Sequence, residues 1–219
     1  MQLSSLYLVV VCMLSFAGCH QAKPSTSSAL SLTPKTKKNM QTNTETITFG
    51  GGCYWCMEAV FQRLNGVENV ASGFSGGQVK NPTYKEVCTG QTGHAEVIQI
   101  DYDTTKISLL QLLKVFFTMH DPTTLNRQGN DVGTQYRSVV FYRNEEQKEK
   151  ITTLINALNE AEIYPSKIVT QVAPFTVFYK AEEDHQNYYN DNKEQGYCRF
   201  VIQPKIDKLE KVFKDLMKH

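Results

Sequence analysis

The sequence predicts one α+β domain, a mixed sheet flanked by helices, over residues 46–219. Stretches with strand-like alternation and stretches with helical spacing of apolar residues follow one another without a βαβ repeat of even period. Hydrophobic residues make up 41% of the 219-residue chain and charged residues 21%, which is typical of globular proteins. This length allows one sizeable core and leaves no room for a second catalytic domain.

Six strands are predicted from alternation and from β-branched or aromatic residues. They cover residues 46–49, 67–74, 95–102, 137–142, 168–172 and 175–179. Alternate residues from Glu96 to Tyr102 fall on one face of the third strand, because side chains alternate along a strand. Residues 123–134 are polar and irregular, which predicts a loop.

Helices are predicted from capping signals and from apolar spacing. A helix begins at Trp55 and stops at Asn65-Gly66. Ser108 and Gln111 form a capping box for a second long helix, which Pro122 ends. The others are one helical turn ending at Cys88, a helix over residues 145–160, a short helix capped by Asp184 and a C-terminal helix starting at Pro204.

Residues 1–18 predict a signal peptide of the lipoprotein type. Residues 6–17 form an apolar run of secretory length that is too short for an ordinary membrane span. Phe16-Ala17-Gly18-Cys19 resembles the lipobox of bacterial lipoproteins, in which the cysteine is acylated. Residues 19–45 are polar and aperiodic, which predicts a flexible tether. We therefore expect export to the bacterial cell envelope or periplasm, with a lipid anchor on Cys19 holding the protein to the membrane.

Charge and ligand spacing argue against two classes of function. The net charge of +1 does not suggest a nucleic-acid surface, so we expect no nucleic-acid partner. His120 and His185 show no ligand spacing with the cysteines, so we expect no metal site. His94 is expected to hydrogen-bond locally or to the backbone.

Export changes how the cysteines are interpreted. Cys12 would leave with the signal peptide, so the mature domain retains Cys53, Cys56, Cys88 and Cys198. Outside the cytosol a dithiol tends to oxidise, and a redox-active cysteine there needs a dedicated reductant.

Cys53 is the candidate nucleophile. It follows a strand and the glycine turn at residues 50–52, and it precedes a helix whose unpaired N–H groups and dipole favour an anion. An ordinary thiol is only about 3% thiolate at neutral pH, and a helix N-terminus lowers the thiol pKa. Tyr54 and Trp55 are suited to form an apolar pocket beside the sulfur. From these residues alone, the alternative that Cys53 and Cys56 are small buried hydrophobes stays open.

Several motifs together carry a family resemblance. They are Gly52-Cys53-Tyr54-Trp55-Cys56, Gly73-Phe74-Ser75-Gly76-Gly77, Asn81-Pro82-Thr83-Tyr84, Gly93-His94-Ala95-Glu96, Gly133-Thr134-Gln135-Tyr136-Arg137-Ser138 and Gly196-Tyr197-Cys198. In this order they resemble the peptide methionine sulfoxide reductases of the A type, which usually have Phe where Tyr54 stands. The resemblance implies an α+β fold with a ferredoxin-like plait core. It also implies an oxidoreductase that repairs oxidative damage by reducing methionine-S-sulfoxide in proteins and free methionine sulfoxide.

The resemblance assigns roles to individual residues. Cys53 attacks the sulfoxide sulfur, which releases methionine and leaves a sulfenic acid. Glu96 is the acid for the sulfoxide oxygen, so it must keep its proton near pH 7, a state that burial favours. The other matches are Tyr84 and Tyr136 as hydroxyl donors to the same oxygen, Asp131 as the residue that orients the substrate, and Tyr54 and Trp55 as the pocket for the S-methyl group.

Regeneration of Cys53 needs a second thiol. By resemblance, Cys198 attacks the sulfenic acid and leaves a Cys53–Cys198 disulfide for a thioredoxin-like reductant, and no bound cofactor is expected. Residues 192–196 before it are polar and are expected to be mobile. Cys56 competes as the resolving thiol, although on a helix its side chain should point partly away from Cys53. Cys88 is expected to pack in the core.

Two other functions are alternatives. Cys53-Tyr54-Trp55-Cys56 after a strand is also typical of a thioredoxin-like disulfide oxidoreductase, but that function leaves Glu96, Tyr84 and Cys198 without roles. The second alternative is a non-enzymatic surface lipoprotein that binds a partner. It predicts that the domain contains no unusually reactive thiol.

Overall fold

The structure, a computed structural model, describes residues 43–218. The predicted signal peptide, the lipobox cysteine Cys19 and all but the end of the tether lie outside the described residues. The first strand begins at Thr44, so regular structure starts two residues before the predicted domain boundary at residue 46. None of the helices within residues 43–218 has both the length and the apolar character required to cross a bilayer.

Eight strands and six α-helices form the described fold. The strands are β1 (Thr44–Gly50), β2 (Val67–Ser75), β3 (Ala95–Asp103), β4 (Arg127–Gln128), β5 (Asp131–Val132), β6 (Val139–Tyr142), β7 (Gln171–Pro174) and β8 (Phe178–Lys180). The helices are α1 (Tyr54–Phe61), α2 (Tyr84–Cys88), α3 (Leu109–Met119), α4 (Glu145–Glu160), α5 (Tyr188–Asp191) and α6 (Gln203–Val212). Single 3₁₀ turns lie at Thr134–Tyr136, Glu183–His185 and Lys214–Leu216, and a π-helical turn at Cys198–Ile202 precedes α6.

The main sheet has six strands in the order β7-β6-β1-β3-β2-β8. Neighbouring strands are antiparallel except β6 and β7, which are parallel. Within this sheet, β1-α1-β2-β3-α3-β6 forms a βαββαβ unit with the strand order β6-β1-β3-β2, which is the ferredoxin-like plait. The predicted α+β class and its plait core are confirmed.

Alternation along β3 brings a carboxyl group into the core. Ile98, Ile100 and Tyr102 lie in the main hydrophobic cluster, and Glu96 precedes them on the same face, as predicted. Glu96 lies opposite Phe74 of β2, and Ile98 lies opposite Phe49 of β1. A glutamate in this position is buried because the sheet face that carries it is covered by helices.

Helices α1 and α3 cover that face. Phe49 of β1 packs against Phe116 of α3, with ring centroids 4.7 Å apart, and against Phe61 of α1 at 5.5 Å. Burying an aromatic side chain of this size contributes about 1.5–3 kcal/mol to stability, so these contacts fix α1 on the sheet. The predicted capping box of Ser108 and Gln111 is present at the start of α3.

Three predictions of local structure are wrong. The predicted loop at residues 123–134 contains the β4–β5 hairpin, because Gly129 adopts a φ of +60° and a two-residue turn follows Gln128. The strands expected at 168–172 and 175–179 are displaced to β7 and β8. Pro174 ends β7, where its missing N–H does not interrupt the sheet. Helix α1 also ends at Phe61, before the Asn65-Gly66 stop signal.

Asp184 does not cap a helix. It lies within the 3₁₀ turn Glu183–His185, and α5 begins after Asn187, whose φ is +52°. Gln186 separates the two turns because its side chain bonds the backbone of Ser72, accepting from the N–H at 3.0 Å and donating to the carbonyl at 2.9 Å. This tie to β2 holds Gln186 in an extended conformation and interrupts the predicted helix.

Candidate active site

Cys53 lies at the N-cap of α1, directly after a glycine turn. Gly52 has a φ of +88°, and a Cβ there would lie 2.6 Å from the side chain of Gln128, so only glycine fits. The carbonyl of Cys53 accepts the first bond of the helix from the N–H of Cys56 at 3.1 Å. Cys53 is 8% exposed. Its thiol is therefore held in place by helix geometry and is almost completely surrounded by protein.

Glu96 is held beside the start of α1. Its Oε2 accepts the N–H of Tyr54, the residue after Cys53, at 3.1 Å, and the side chain is only 1% exposed. Burial raises the pKa of Glu96 to about 8, and the nearby charges of Asp131 and Cys56 act in the same direction. Glu96 thus keeps its proton at pH 7, which is the state that a general acid needs.

Aromatic rings surround this part of the site, and we call Tyr54, Trp55, Tyr84, Tyr136 and His185 the aromatic cluster. Trp55 stacks on His185 with centroids 5.5 Å apart, and on Tyr188 at 3.7 Å. Tyr84 packs against His185 at 4.4 Å. The hydroxyl of Tyr54 shares a 2.9 Å hydrogen bond with Nδ1 of His185. The hydroxyl that distinguishes Tyr54 from the family's usual Phe is therefore held by His185, a residue for which the sequence suggested no role.

Two hydroxyl groups of the cluster lie in the electrostatic field of Glu96. Burial raises the pKa of Tyr84 and of Tyr136 above the usual range, and the charge of Glu96 adds to both shifts. Both phenols therefore keep their protons and can act as donors. The neighbouring thiol of Cys88 adds to the rise in the pKa of Tyr84. The prediction that Cys88 packs in the core is wrong, because Cys88 is exposed at the end of the short helix α2.

A groove opens on the other side of Cys53, with a volume of about 870 Å³. We call it the thiol groove, and the residues that matter here are Cys53, Cys56, Asp131, Tyr197, Phe200 and Lys205. The hydroxyl of Tyr197 donates to Oδ2 of Asp131 at 3.0 Å and lies 3.8 Å from Sγ of Cys56. Asp131 therefore reaches the thiols through Tyr197. Sequence reasoning gave no role to Tyr197 or Lys205, although Tyr197 lies within a motif.

The two thiols of α1 interact directly, so the expectation that Cys56 points partly away from Cys53 is wrong. Cys53 adopts non-helical backbone angles at the N-cap, so the direction of its side chain is not set by the helix. A hydrogen bond from the Cys53 thiol lowers the pKa of Cys56 to about 7, and the nearby Lys205 ammonium lowers it further. Burial raises the pKa of Cys53, against the expectation that the helix N-terminus lowers it. Of the two thiols, Cys56 is therefore the one that ionises more readily near neutral pH.

Cys198 is completely buried, as the first residue of the π-helical turn, and it packs in the main core. Residues 192–196, which are expected to be mobile, form a largely exposed turn before it, and Cys198 itself packs against the core that includes α1. Burial raises the pKa of the Cys198 thiol, and the charge of Cys56 adds to the shift. In the described part of the chain, all four cysteines are free thiols.

The histidines near the site have structural roles. Nδ1 of His94 accepts the N–H of Gly77 at 3.0 Å, and its Nε2 bonds the carbonyl of Val79 at 2.7 Å, as predicted for local bonding. His120 bonds the Phe116 carbonyl and the Ser138 hydroxyl, both at 2.7 Å, and burial lowers its pKa to about 4. Across residues 43–218, no group of three His, Cys, Asp or Glu side chains is arranged to hold a metal ion.

Comparisons with known proteins identify a family. The model of the family described as peptide methionine sulfoxide reductase matches residues 45–217. The chain is 55% identical over 171 residues to the peptide methionine sulfoxide reductase MsrA of Acinetobacter baumannii, covering 78% of this chain and 97% of that protein. It is 52% identical over 174 residues to the MsrA of Saccharolobus solfataricus, covering 80% and 97%.

Solved structures agree. Methionine sulfoxide reductase A of Corynebacterium diphtheriae superimposes with a TM-score of 0.64 at 37% identity, covering 74% of this chain and 80% of that one. Reduced Mxr1 of Saccharomyces cerevisiae superimposes with a TM-score of 0.65 at 33% identity, covering 71% and 90%.

Proposed function

The chain belongs to the peptide methionine sulfoxide reductase family, and we propose that it reduces methionine-S-sulfoxide in oxidised proteins and free methionine sulfoxide, with Cys53 as the nucleophile. It is a thiol-dependent oxidoreductase, and the reaction uses the chain's own side chains together with an external thiol reductant. The observation that carries the site assignment is the buried, protonated Glu96 bonded to the residue next to Cys53.

The first step needs an acid and a thiolate at the same sulfoxide. A sulfoxide sulfur is a poor electrophile until its oxygen is protonated or strongly hydrogen-bonded. Glu96 donates its proton to that oxygen, and the hydroxyls of Tyr84 and Tyr136 donate hydrogen bonds to it. Cys53 loses its proton and attacks the sulfur, which forms a bond between the two sulfur atoms. The hydroxyl then moves to the Cys53 sulfur, the bond between oxygen and the methionine sulfur and the bond between the two sulfurs both break, and Cys53 is left as a sulfenic acid. Methionine is released, and Glu96 regains the proton that Cys53 gave up.

The aromatic cluster suits the substrate's methyl group. Trp55 and Tyr54 present apolar ring surface next to Cys53, and the ring of Trp55 is fixed between His185 and Tyr188. Asp131 orients the substrate from the thiol groove, together with the Tyr197 hydroxyl that it holds.

Recycling ends on Cys198 in this proposal. A thiol must reduce the sulfenic acid of Cys53 and release water, and the disulfide that results is reduced by a protein of the thioredoxin type. A disulfide on Cys198 would lie beside Phe200, which is 81% exposed and presents an apolar surface to such a partner. This assignment of Cys198 rests on its place in the Gly196-Tyr197-Cys198 motif and on its burial against α1.

We also propose export to the cell envelope or periplasm and a lipid anchor on Cys19. The support is the apolar run at residues 6–17, the lipobox-like Phe16-Ala17-Gly18-Cys19 and the polar tether that follows. Intact mass spectrometry of protein isolated from membranes tests both points. Cleavage before Cys19 with an added diacylglyceryl group is expected. An unmodified Cys19, or cleavage elsewhere, contradicts the anchor.

The C-x-x-C pair supports a second candidate, a disulfide oxidoreductase, because Cys53 and Cys56 share a hydrogen bond. Such an enzyme needs no acid at Glu96. The variant Glu96→Gln separates the two functions: it should abolish sulfoxide reduction and leave thiol–disulfide exchange with a small disulfide unchanged. If exchange is fast and sulfoxide reduction is absent in the unaltered protein, the second candidate is correct.

The proposed function is tested by the stereochemistry of the reaction. Peptides carrying the S or the R epimer of methionine sulfoxide are incubated with the protein and a dithiol reductant, and methionine is quantified. We expect reduction of the S epimer alone and none by Cys53→Ser. Equal reduction of both epimers, or full activity of Cys53→Ser, contradicts the assignment.

A further inference from the structure

Cys56 neighbours both Cys53 and the turn that carries Cys198. The N–H of Cys56 bonds the carbonyl of Cys53 at 3.1 Å, and both residues line the thiol groove. The Cys56 sulfur lies 3.8 Å from the hydroxyl of Tyr197, the residue before Cys198, and the charge of Cys56 acts on the Cys198 thiol. The neighbourhood of the three sulfurs thus offers a path from Cys53 to Cys198 that passes through Cys56.

We propose that Cys56 is the first thiol to react with the Cys53 sulfenic acid, and that Cys198 then takes over the disulfide by attacking Cys56. This inference rests on the proposed function, because it needs the sulfenic acid that sulfoxide reduction leaves on Cys53. It replaces a direct Cys53–Cys198 disulfide by a relay of two disulfides, and it gives Cys56 a role in the cycle.

The first disulfide fits the start of α1. Residues three apart in a regular helical turn have Cβ atoms about 5–6 Å apart, whereas the Cβ atoms of a disulfide lie about 3.5–4.5 Å apart. Cys53 is at the N-cap with φ −59° and ψ 125°, so its backbone is not helical. The bond from the N–H of Cys56 to the carbonyl of Cys53 already closes this turn. The disulfide therefore needs a local adjustment at Cys53, which lies before the first helical residue of α1.

Cys56 is also prepared to attack. The groups around its sulfur are the Cys53 thiol, the Tyr197 hydroxyl, the Lys205 ammonium and, through Tyr197, the Asp131 carboxylate. The first three stabilise a thiolate, and Asp131 opposes it. The thiolate is the form of cysteine that reacts with a sulfenic acid, and the Lys205 ammonium and the Tyr197 hydroxyl still stabilise it after the Cys53 thiol has been oxidised.

The relay balances in two steps. In the first, the Cys56 sulfur bonds to the Cys53 sulfur, the S–O bond breaks, and the hydroxyl leaves as water with one proton. In the second, the Cys198 thiol loses its proton and attacks the Cys56 sulfur, and Cys53 leaves as a thiolate that takes up that proton. The second step transfers the disulfide without net oxidation or reduction. A thioredoxin-type dithiol then supplies the two electrons that reduce the Cys56–Cys198 bond.

The consequence is a different stoichiometry. Because the relay returns Cys53 to its reduced form, a fully reduced protein without added reductant performs a second sulfoxide reduction, which stops at the sulfenic acid. It therefore yields about two methionines per chain. A direct Cys53–Cys198 disulfide keeps Cys53 oxidised after the first reduction, so the protein yields one methionine per chain.

The experiment uses reduced protein with Cys88→Ser, which removes the exposed thiol, and excess sulfoxide peptide without reductant. We expect two methionines, a Cys56–Cys198 disulfide and a sulfenic acid on Cys53, identified by a dimedone adduct in mass spectrometry. One methionine with a Cys53–Cys198 disulfide overturns the relay. Absence of methionine from every variant is a separate result, since it overturns the proposed function itself.

Two matched variants establish the order of the steps. With Cys198→Ser, the sulfenic acid should decay at the unaltered rate and leave a Cys53–Cys56 disulfide after one methionine. With Cys56→Ser, the decay should be at least tenfold slower, although one methionine per chain is still formed. Fast decay in Cys56→Ser and slow decay in Cys198→Ser reverses the order and overturns the proposal.

Lys205 and Lys208 provide a charge control, since both line the thiol groove. Lys205 acts on Cys56, whereas Lys208 donates to the carbonyl of Thr118 at 2.6 Å. Lys205→Gln should slow decay of the sulfenic acid roughly two- to fivefold at pH 7 because less Cys56 is thiolate. Lys208→Gln should leave it unchanged. Equal effects of the two variants contradict a specific role of Lys205 at Cys56.

Discussion

The two sides of Cys53 control protons in opposite ways. In the aromatic cluster, burial raises the pKa of Glu96 to about 8 and keeps a carboxyl protonated. In the thiol groove, a hydrogen bond from Cys53 lowers the pKa of the equally buried Cys56 to about 7. The two sides differ in how many neighbours stabilise the charged form of the buried group. The Glu96 carboxylate would have only one N–H bond to offset its desolvation, whereas the Cys56 thiolate has a thiol, a phenol and an ammonium. Burial alone therefore does not decide which group ionises.

The largest effect should come from removing the acid. Glu96→Gln keeps an oxygen that can accept the Tyr54 N–H, but it has no proton to give to the sulfoxide. We expect the rate of methionine formation in a single turnover to fall by about 10²–10⁴, the usual contribution of a positioned acid. A rate within threefold of the unaltered protein would remove Glu96 from the mechanism.

The same variant should be more stable at neutral pH. The folded protein holds the proton of Glu96 up to about pH 8, whereas the unfolded chain releases it near 4.5. The stability of the unaltered protein therefore falls as pH rises from 4.5 to 8. Glu96→Gln should gain about 3 kcal/mol at pH 7 in urea denaturation, with little gain at pH 4.5. Cys53→Ser, equally inactive, should show no such pH-dependent gain.

The pH dependence of the two chemical steps should separate the two sides. Methionine formation needs protonated Glu96, so its rate should be constant below about pH 8 and fall about tenfold per unit above it. In the proposed relay, decay of the sulfenic acid needs the Cys56 thiolate, so its rate should rise with pH until Cys56 is ionised and then level off. Rapid-quench measurements from pH 5.5 to 9.5 resolve both steps. Identical profiles would show that one group controls both.

Asp131 couples the two sides, because its charge raises the pKa of both Glu96 and Cys56. Asp131→Asn should lower both apparent pKa values by about half a unit, which slows methionine formation about threefold at pH 8.5. Asp121 lines the same groove and provides the control, since it is not a cause of either shift. If Asp131→Asn shifts the two pH–rate profiles in opposite directions, the charge of Asp131 does not raise both pKa values.

The smallest effect should follow Tyr54→Phe, which restores the family's usual residue. The Tyr54 hydroxyl bonds His185 and is not assigned to the sulfoxide oxygen. We expect activity within twofold of the unaltered protein and a loss of about 1 kcal/mol in the free energy of unfolding. A tenfold loss of activity would show that this hydroxyl takes part in the reaction.

Much of the fold was predictable because local signals and core periodicity agree. Alternation along β3 placed Glu96 on the core face, and the capping box of Ser108 and Gln111 started α3 where expected. The errors lie where long-range contacts override local preference. Gln186 bonds the backbone of Ser72, 114 residues away in sequence, and so breaks the helix that Asp184 would have capped.

The site and the protonation of its acid were predictable from the sequence, but the ionisation of its thiols was not. The motifs pointed to Cys53 and Glu96, and burial then determined the state of the acid as expected. The thiols differ, because their pKa values depend on a hydrogen bond between two side chains and on Lys205, which is 149 residues from Cys56 in sequence. Spacing alone does not reveal such a neighbour. Tyr197 was overlooked for the same reason, since its partner Asp131 comes from a different element.

Among the thiols, we infer that Cys53 alone performs the reduction and that the others only regenerate it. The most direct test is one turnover by reduced protein in which Cys56, Cys88 and Cys198 are all replaced by Ser. We expect one methionine per chain and a dimedone adduct on Cys53. Absence of methionine, or methionine formed while Cys53 stays unmodified, would contradict it.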